Sequence, residues 1–250
     1  MSNKNKKTYW VYSKYAIFSI LLNSKREILE ILIDLKFEKY YKHIFKTKDI
    51  IVGKLKVKIV NKNYIEKKIG KFAKYQGIAL LVEPMKYHDF NNYNVQSKKD
   101  NCLVIIDSMN DPNNFGALIR TCFAFDVHNI VVLERNMPTE NGLILSVASG
   151  AYDYVNIYKV KNIINTINLL KNNNWWIVGL ESKNLENCID IKNFEFKNQK
   201  KAVIIGSEHK GLRRLVRESC DYLVRIKIKE KNLDSLNVVN ATTVALYELS

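Results

Sequence analysis

Five short apolar runs constrain this chain more than any other feature: CLVIID (102–107), NIVVL (129–133), WWIVGL (175–180), AVIIG (202–206) and YLVRI (222–226). A strand with one wet face alternates apolar and polar residues. These runs are nearly continuous, as expected of strands buried on both faces of a parallel sheet. Helical patterns lie between most of them, so the region from residue 101 to 250 reads as α/β, a parallel sheet flanked by helices. The last stretch, Leu236–Leu249, fits a terminal helix with Val239, Thr242, Leu246 and Leu249 on one stripe. There is no internal repeat.

The front of the chain is a smaller α/β pattern. It starts at Tyr9-Trp10-Val11-Tyr12, then has a helical stretch at Tyr15–Asn23 and a strand-like run at Ile28–Ile33. A helix at Phe37–Phe45, a strand at Val57–Val60, a basic helix around Tyr64–Lys71 and a strand at Gln76–Val82 complete it. Residues 85–100 (MKYHDFNNYNVQSKKD) are polar and aperiodic, which reads as a linker. The expected division is therefore 1–84, a linker at 85–100, and 101–250, with 250 residues enough for two modest domains. Charge breaks at the same place. Residues 1–100 hold 22 Lys/Arg against 9 Asp/Glu, a net of +13; residues 101–250 hold 18 against 16. Such a concentrated surplus favours a polyanionic partner, nucleic acid or an acidic membrane surface.

A hydrophobic fraction of 47% with 26% charged residues permits a packed core and excludes wholesale disorder. The four cysteines (Cys102, Cys122, Cys188, Cys220) are far apart, with no CxxC and no histidine at zinc spacing, so no metal site is expected. No apolar run has the length of a bilayer span, and MSNKNKKTYW lacks the apolar core of a signal peptide. The expectation is a soluble, cytoplasmic chain from a reducing compartment.

Ligands of open α/β sheets bind beyond the carboxyl ends of strands, which singles out three loops. In the first, Asp111 suits an N-cap and Pro112 the first helical position. Phe115, Leu118, Ile119 and Cys122 then make an apolar face, while Asn113, Gly116, Ala117 and Arg120 make another. From spacing alone that second face reads as a solvated helix side carrying one ordinary arginine. The second loop, Gly206-Ser207-Glu208-His209-Lys210-Gly211-Leu212, follows a buried strand with a glycine, and Gly211 could open a helix. It is neither a P-loop nor a GxGxxG turn, and taken singly it is an ordinary turn. In the third, Asp234 or Ser235 would cap the last helix.

Together, in order, these segments are far more specific. DPNNFGALIRT, IIGSEHKGLRRLVRESCDYLVRI and SLNVVNAT resemble the three signature motifs of the SpoU (TrmH-like) family of RNA 2′-O-ribose methyltransferases, a branch of the SPOUT superfamily. Ala148-Ser149-Gly150-Ala151, with Tyr154-Val155 after it, resembles the family pattern too, and the likeness covers essentially all of 102–250. The basic front region, ending YQGIALLVEP, is similar to the ribosomal-protein-like RNA-binding domain of the subgroup that methylates a guanosine of 23S-type rRNA.

The resemblance implies a homodimer whose C-terminal region forms a trefoil knot around S-adenosylmethionine, which periodicity alone would never suggest. It implies cofactor contacts, largely through backbone, at Leu180, Gly206, Ile226 and Leu236. It puts Asn114, Arg120, Glu208, Ser235 and Asn237 at the catalytic polar positions. The implied substrate is RNA, rRNA before tRNA, with no membrane partner. Specificity is expected from RNA shape and a splayed base, with Trp10 and the tyrosines as stacking or core groups. Ile226-Lys227-Ile228 departs from the family's usual Ile-Pro-Met, and Val239 stands where a serine is usual. A non-catalytic RNA-binding protein on the same scaffold is the remaining alternative.

Overall fold

The computed structural model describes residues 7–23, 25–51, 53, 55–97, 101–182, 185, 187–194, 199–207, 210–230 and 235–249. The chain divides into two compact units, residues 1–86 with 139–154, and residues 87–138 with 155–250.

The front unit contains β1 (Tyr9–Val11), α1 (Lys14–Asn23), β2 (Ile28–Asp34), α2 (Glu38–Thr47), β3 (Val57–Val60), α3 (Lys62–Ile69) and β4 (Ile78–Val82). Its sheet runs β1-β4-β2-β3, antiparallel except for the β2–β3 pair. Leu32, Ile65 and Ala79 form a small core against which Trp10, Val60 and Tyr75 pack, so Trp10 is a packing group. Leu32 and Ile65, fully buried, each contribute roughly 1.5–3 kcal/mol.

The second unit opens with β5 (His88–Asp89), β6 (Cys102–Ile106), α4 (Pro112–Ala124) and β7 (Asn129–Leu133). The helix α5 (Gly142–Ala148) belongs with the front unit. The second unit resumes with β8 (Asn156–Val160), α6 (Ile163–Lys171), β9 (Trp176–Leu180), β10 (Cys188–Asp190), β11 (Lys201–Ile205), α7 (Arg214–Glu218), β12 (Tyr222–Arg225) and α8 (Val238–Leu249). Among the described residues its sheet runs β10-β12-β9-β11-β6-β7-β8-β5, every pairing parallel. All five residues of β7 and of β11 are buried, the two-sided burial their composition demanded.

Three sequence readings change here. The expected linker, described as far as residue 97, is more than a connector: β5 pairs with β8, and Phe90 and Tyr93 are buried beside Leu103, Tyr158 and Trp175. The polar average of the segment hides aromatics spaced three apart. The Trp175 indole and the Lys200 ammonium both donate to the carbonyl of Val95, at 2.8 and 2.9 Å, satisfying a backbone acceptor that burial would otherwise penalise.

The second change concerns residues 139–154, which pack with the front unit instead of within a continuous 101–250 block. The fully buried Arg26 guanidinium bonds Glu140 and Asp153, and the Tyr9 hydroxyl also donates to Glu140. The amide of Met85 and the hydroxyl of Tyr152 also donate to Glu140, at 3.2 Å each. Burial pushes the Asp153 carboxyl up, with Arg26 opposing. Ser19 Oγ donates to the carbonyl of Gly150 at 2.6 Å.

The third change is at the last helix. It starts at Val238, and Val238 takes the buried place expected of Val239. Its cap is Asn237, whose Oδ1 accepts from the Val239 amide at 2.9 Å; Ser235 lies further upstream, and Asp234 falls outside the described residues.

Candidate functional site

At the carboxyl end of the second unit's sheet, β11 leaves between β6 and β9, and its continuation shapes a pocket. Gly206 follows β11 directly. A methyl group built on it would overlap the carbonyl carbon of Gly211, because the loop doubles back on itself. The Ser207 and Gly211 backbones exchange hydrogen bonds at 3.0 and 2.9 Å. Gly211 adopts φ +65°, so it closes this turn and does not open a helix; α7 begins three residues later.

Two ion pairs straddle that segment. The strands flanking β11 each end in a buried carboxylate, Asp107 after β6 and Glu181 after β9. Asp107 accepts from Arg213 Nε at 2.8 Å and from the Arg213 amide at 3.3 Å. Glu181 accepts from Arg217 Nε at 2.8 Å and from the Ser182 amide at 3.0 Å. Arg217 also donates to the carbonyl of Leu212 at 3.1 Å. The glycine turn is thus held to the sheet from both sides by charge-assisted hydrogen bonds.

The pocket is lined by Leu180, Glu181, Ser182, Ile205, Gly206, Ser207, Gly211, Ile226, Ile228, Ser235, Leu236, Val238 and Ala241. Its largely apolar walls with a few polar groups are of the kind that line sites for small organic ligands. Leu180, Gly206, Ile226 and Leu236, which came from three separate sequence segments and β9, all lie in it, as does Ser235. Ile228, part of the departure from Ile-Pro-Met, lines it as well.

Beside it, α4 packs on α8. Asp111 caps α4 through the Asn113 amide at 2.7 Å, and Pro112 takes the first helical position as its fixed φ favours. Phe115, Leu118, Ile119 and Cys122 are fully buried. The packing brings Asn237 Nδ2 to 3.3 Å from Asn114 Oδ1, although the two are 123 residues apart. Arg120 stands on the exposed side of α4. Glu208 and His209 lie outside the described residues. Of the expected site residues, then, five line one pocket, two are bonded to each other, and Arg120 shares a helix with Asn114.

Asp107 and Glu181 were missed by motif reading. The available signal was an acidic residue directly after a buried strand, where a carboxylate needs a partner to be tolerated. The four cysteines are free, and burial pushes Cys102 and Cys220 up to about 12 and raises Cys122 and Cys188. Protonated thiols are poor nucleophiles, and no cysteine lines the pocket. Among the described residues, no group of three or more His, Cys, Asp or Glu is placed to hold a metal ion, and no helix is long and apolar enough to cross a membrane.

The SpoU rRNA Methylase family matches residues 101–247. The chain belongs to this family. A Borreliella burgdorferi protein described as an uncharacterized tRNA/rRNA methyltransferase is 35% identical over 223 residues, spanning 84% of this chain and 95% of that protein. Among solved structures, the SpoU methyltransferase AviRb from Streptomyces viridochromogenes, in complex with AdoMet, superposes with a TM-score of 0.78 at 21% identity. The match covers 99% of this chain and 93% of that one. A structure described as an RNA 2′-O ribose methyltransferase superposes with a TM-score of 0.77 at 18% identity, covering 98% and 88%. At these identities the likeness shows that this SpoU-family chain shares their fold.

Proposed function

We propose that this SpoU-family protein transfers a methyl group from S-adenosylmethionine to a ribose 2′-hydroxyl of RNA, with a guanosine of large-subunit rRNA as the acceptor. The observation that carries the reading is the convergence of Leu180, Gly206, Ile226 and Leu236 on one pocket. The Gly206–Gly211 turn supports it, since a side chain at Gly206 would fill the space the backbone must occupy beside the ligand. The pocket would hold S-adenosylmethionine through its apolar walls and loop backbone, and the bound cofactor supplies an electrophilic methyl group.

A ribose hydroxyl is a very weak acid, so the protein's share of the work is orientation and proton management. Holding the hydroxyl in line with the methyl group removes much of the barrier. The Asn114–Asn237 amide pair would fix the ribose, and Ser235 would orient it from the pocket wall. Arg120 offers hydrogen-bond donors only, as every guanidinium does. Its role in this reading is to hold the ribose or the adjacent phosphate, with the phosphate receiving the hydroxyl proton. Glu208 belongs to the same set by its motif position.

The charge of residues 1–100 supports RNA as substrate, since counterion release gives affinity without sequence choice. The reading includes the homodimer and the trefoil knot. The strand order supports the knot, as β11 inserts between β6 and β9, both earlier in the chain.

The test is transfer of labelled methyl from S-adenosylmethionine to large-subunit rRNA and, separately, tRNA, each lacking ribose methylation, with Arg120→Ala alongside. Label on rRNA at one alkali-resistant linkage, lost in the variant, is the expected result. Label on tRNA alone moves the substrate assignment. Absence of both cofactor binding and transfer overturns the enzyme reading in favour of a non-catalytic RNA-binding protein.

A further inference from the structure

The front unit presents an aromatic ring to solvent at Phe72. Phe72 is 100% exposed, whereas Trp10 packs on the core. A single exposed apolar side chain is ordinary on a protein surface. The setting of Phe72 is not. It sits at the tip of a turn running from Gly70 to Gln76 that is tied down on both flanks. The Ala73 amide donates to the Gly70 carbonyl at 3.2 Å, and the Tyr75 amide to the Ala73 carbonyl at 3.0 Å. The Tyr75 hydroxyl donates to Asp34 Oδ2 at 3.0 Å, and the Tyr41 hydroxyl to the Gln76 carbonyl.

Around the ring in sequence stand Lys67, Lys68, Lys71 and Lys74, all exposed, while the neighbouring acid, Glu66, is half-buried and paired with Lys62 at 3.3 Å. On the adjoining helix α3, the exposed Tyr64 ring has the Lys68 ammonium 5.9 Å from its centroid.

We infer that Phe72 is a stacking platform for one unpaired base of the RNA substrate, with Lys71 and Lys74 holding the phosphates on either side. An aromatic face among cations fits a single strand of RNA, because each nucleotide offers a flat ring and a charge at fixed spacing. A folded turn keeps the ring presented, so little ordering is left to be done on binding. The inference rests on RNA as substrate and deepens that reading by naming an unpaired nucleotide as what the front unit recognises.

The test uses the full chain and a single-stranded RNA carrying 2-aminopurine, with Phe72→Ala, Phe72→Trp and the Lys71→Gln/Lys74→Gln pair. Phe72→Ala should weaken RNA binding at least fivefold, abolish the emission change of the bound 2-aminopurine, and leave the slope of log Kd against log salt unchanged. Phe72→Trp should restore both. The lysine pair should instead lower that slope by about one to two. Because Phe72 is wholly exposed, Tm and cofactor affinity should stay at the parent values. RNA affinity within twofold of the parent for Phe72→Ala overturns the inference. So does a loss seen only with an assembling ribosomal particle, which would assign the ring to a protein partner. These readouts need no methyl transfer, so failure of the enzyme reading would show separately, as absent transfer with the stacking signal intact.

Discussion

In the front unit the arginine is enclosed: the Arg26 side chain is 0% exposed, between Glu140 and Asp153. In the second unit the carboxylates are enclosed, while Arg213 and Arg217 keep 42% and 24% exposure. The first arrangement joins residues 9, 26, 85, 140 and 153 with no solvent at the cation, so it acts as a structural lock. The second holds one loop beside a ligand pocket with guanidinium groups that are already partly wet. Breaking it costs less, and the cost falls on the pocket. Buried charge therefore serves two purposes in one molecule: both ends of the pair are desolvated in the front unit, and only the carboxylate end in the second.

The largest effect should come from Arg26→Ala, which leaves two buried carboxylates without their cation. A loss of about 3–5 kcal/mol is expected, measured by urea unfolding. All four cysteines lie in the second unit, so their reaction with a disulfide reagent reports on that unit separately. Faster thiol reaction in Arg26→Ala than the measured stability loss predicts would mean that the lock also supports the second unit.

Next in size is Glu181→Gln, expected to cost about 2 kcal/mol of stability through the weakened bond to Arg217. Its distinguishing effect is a cofactor dissociation constant raised about tenfold by calorimetry. Gly206→Ala should weaken cofactor binding at least as much while leaving the stability of the front unit unchanged. If either variant binds cofactor normally, the loop restraint and the pocket are unrelated.

A smaller effect follows from pH. Burial raises the Cys102 and Cys220 thiols from 9.0 to about 12 in the folded chain. Their stabilising contribution is complete below about pH 9 and is lost as pH rises towards 12, because the unfolded thiols ionise first. The urea midpoint should fall over that window, and Cys220→Ala should flatten the decline. A midpoint that is flat from pH 9 upward in the parent chain would contradict this. Smallest of all is Arg214→Ala. Arg214 pairs with Glu218 at 2.9 Å with 75% and 54% exposure, so removal should move stability by no more than about 0.5 kcal/mol.

What local pattern determines was legible from residues alone. The strands β6, β7, β9, β11 and β12 fell where the continuous apolar runs lay, because two-sided burial leaves its mark on consecutive residues. The start of α4 followed from Asp111-Pro112, since a cap and a fixed φ act within a few residues. The pocket residues were legible through motif wording, without the geometry that joins them. Only the tertiary structure decided that 139–154 pack with the front unit, that Asn237 and not Ser235 caps α8, and that Asp107 and Glu181 hold the glycine turn. Each of these depends on a partner's position in space. Arg26 meets Glu140 across 114 residues and Asp107 meets Arg213 across 106. A carboxylate carries no trace in its own neighbourhood of the cation that will make its burial tolerable.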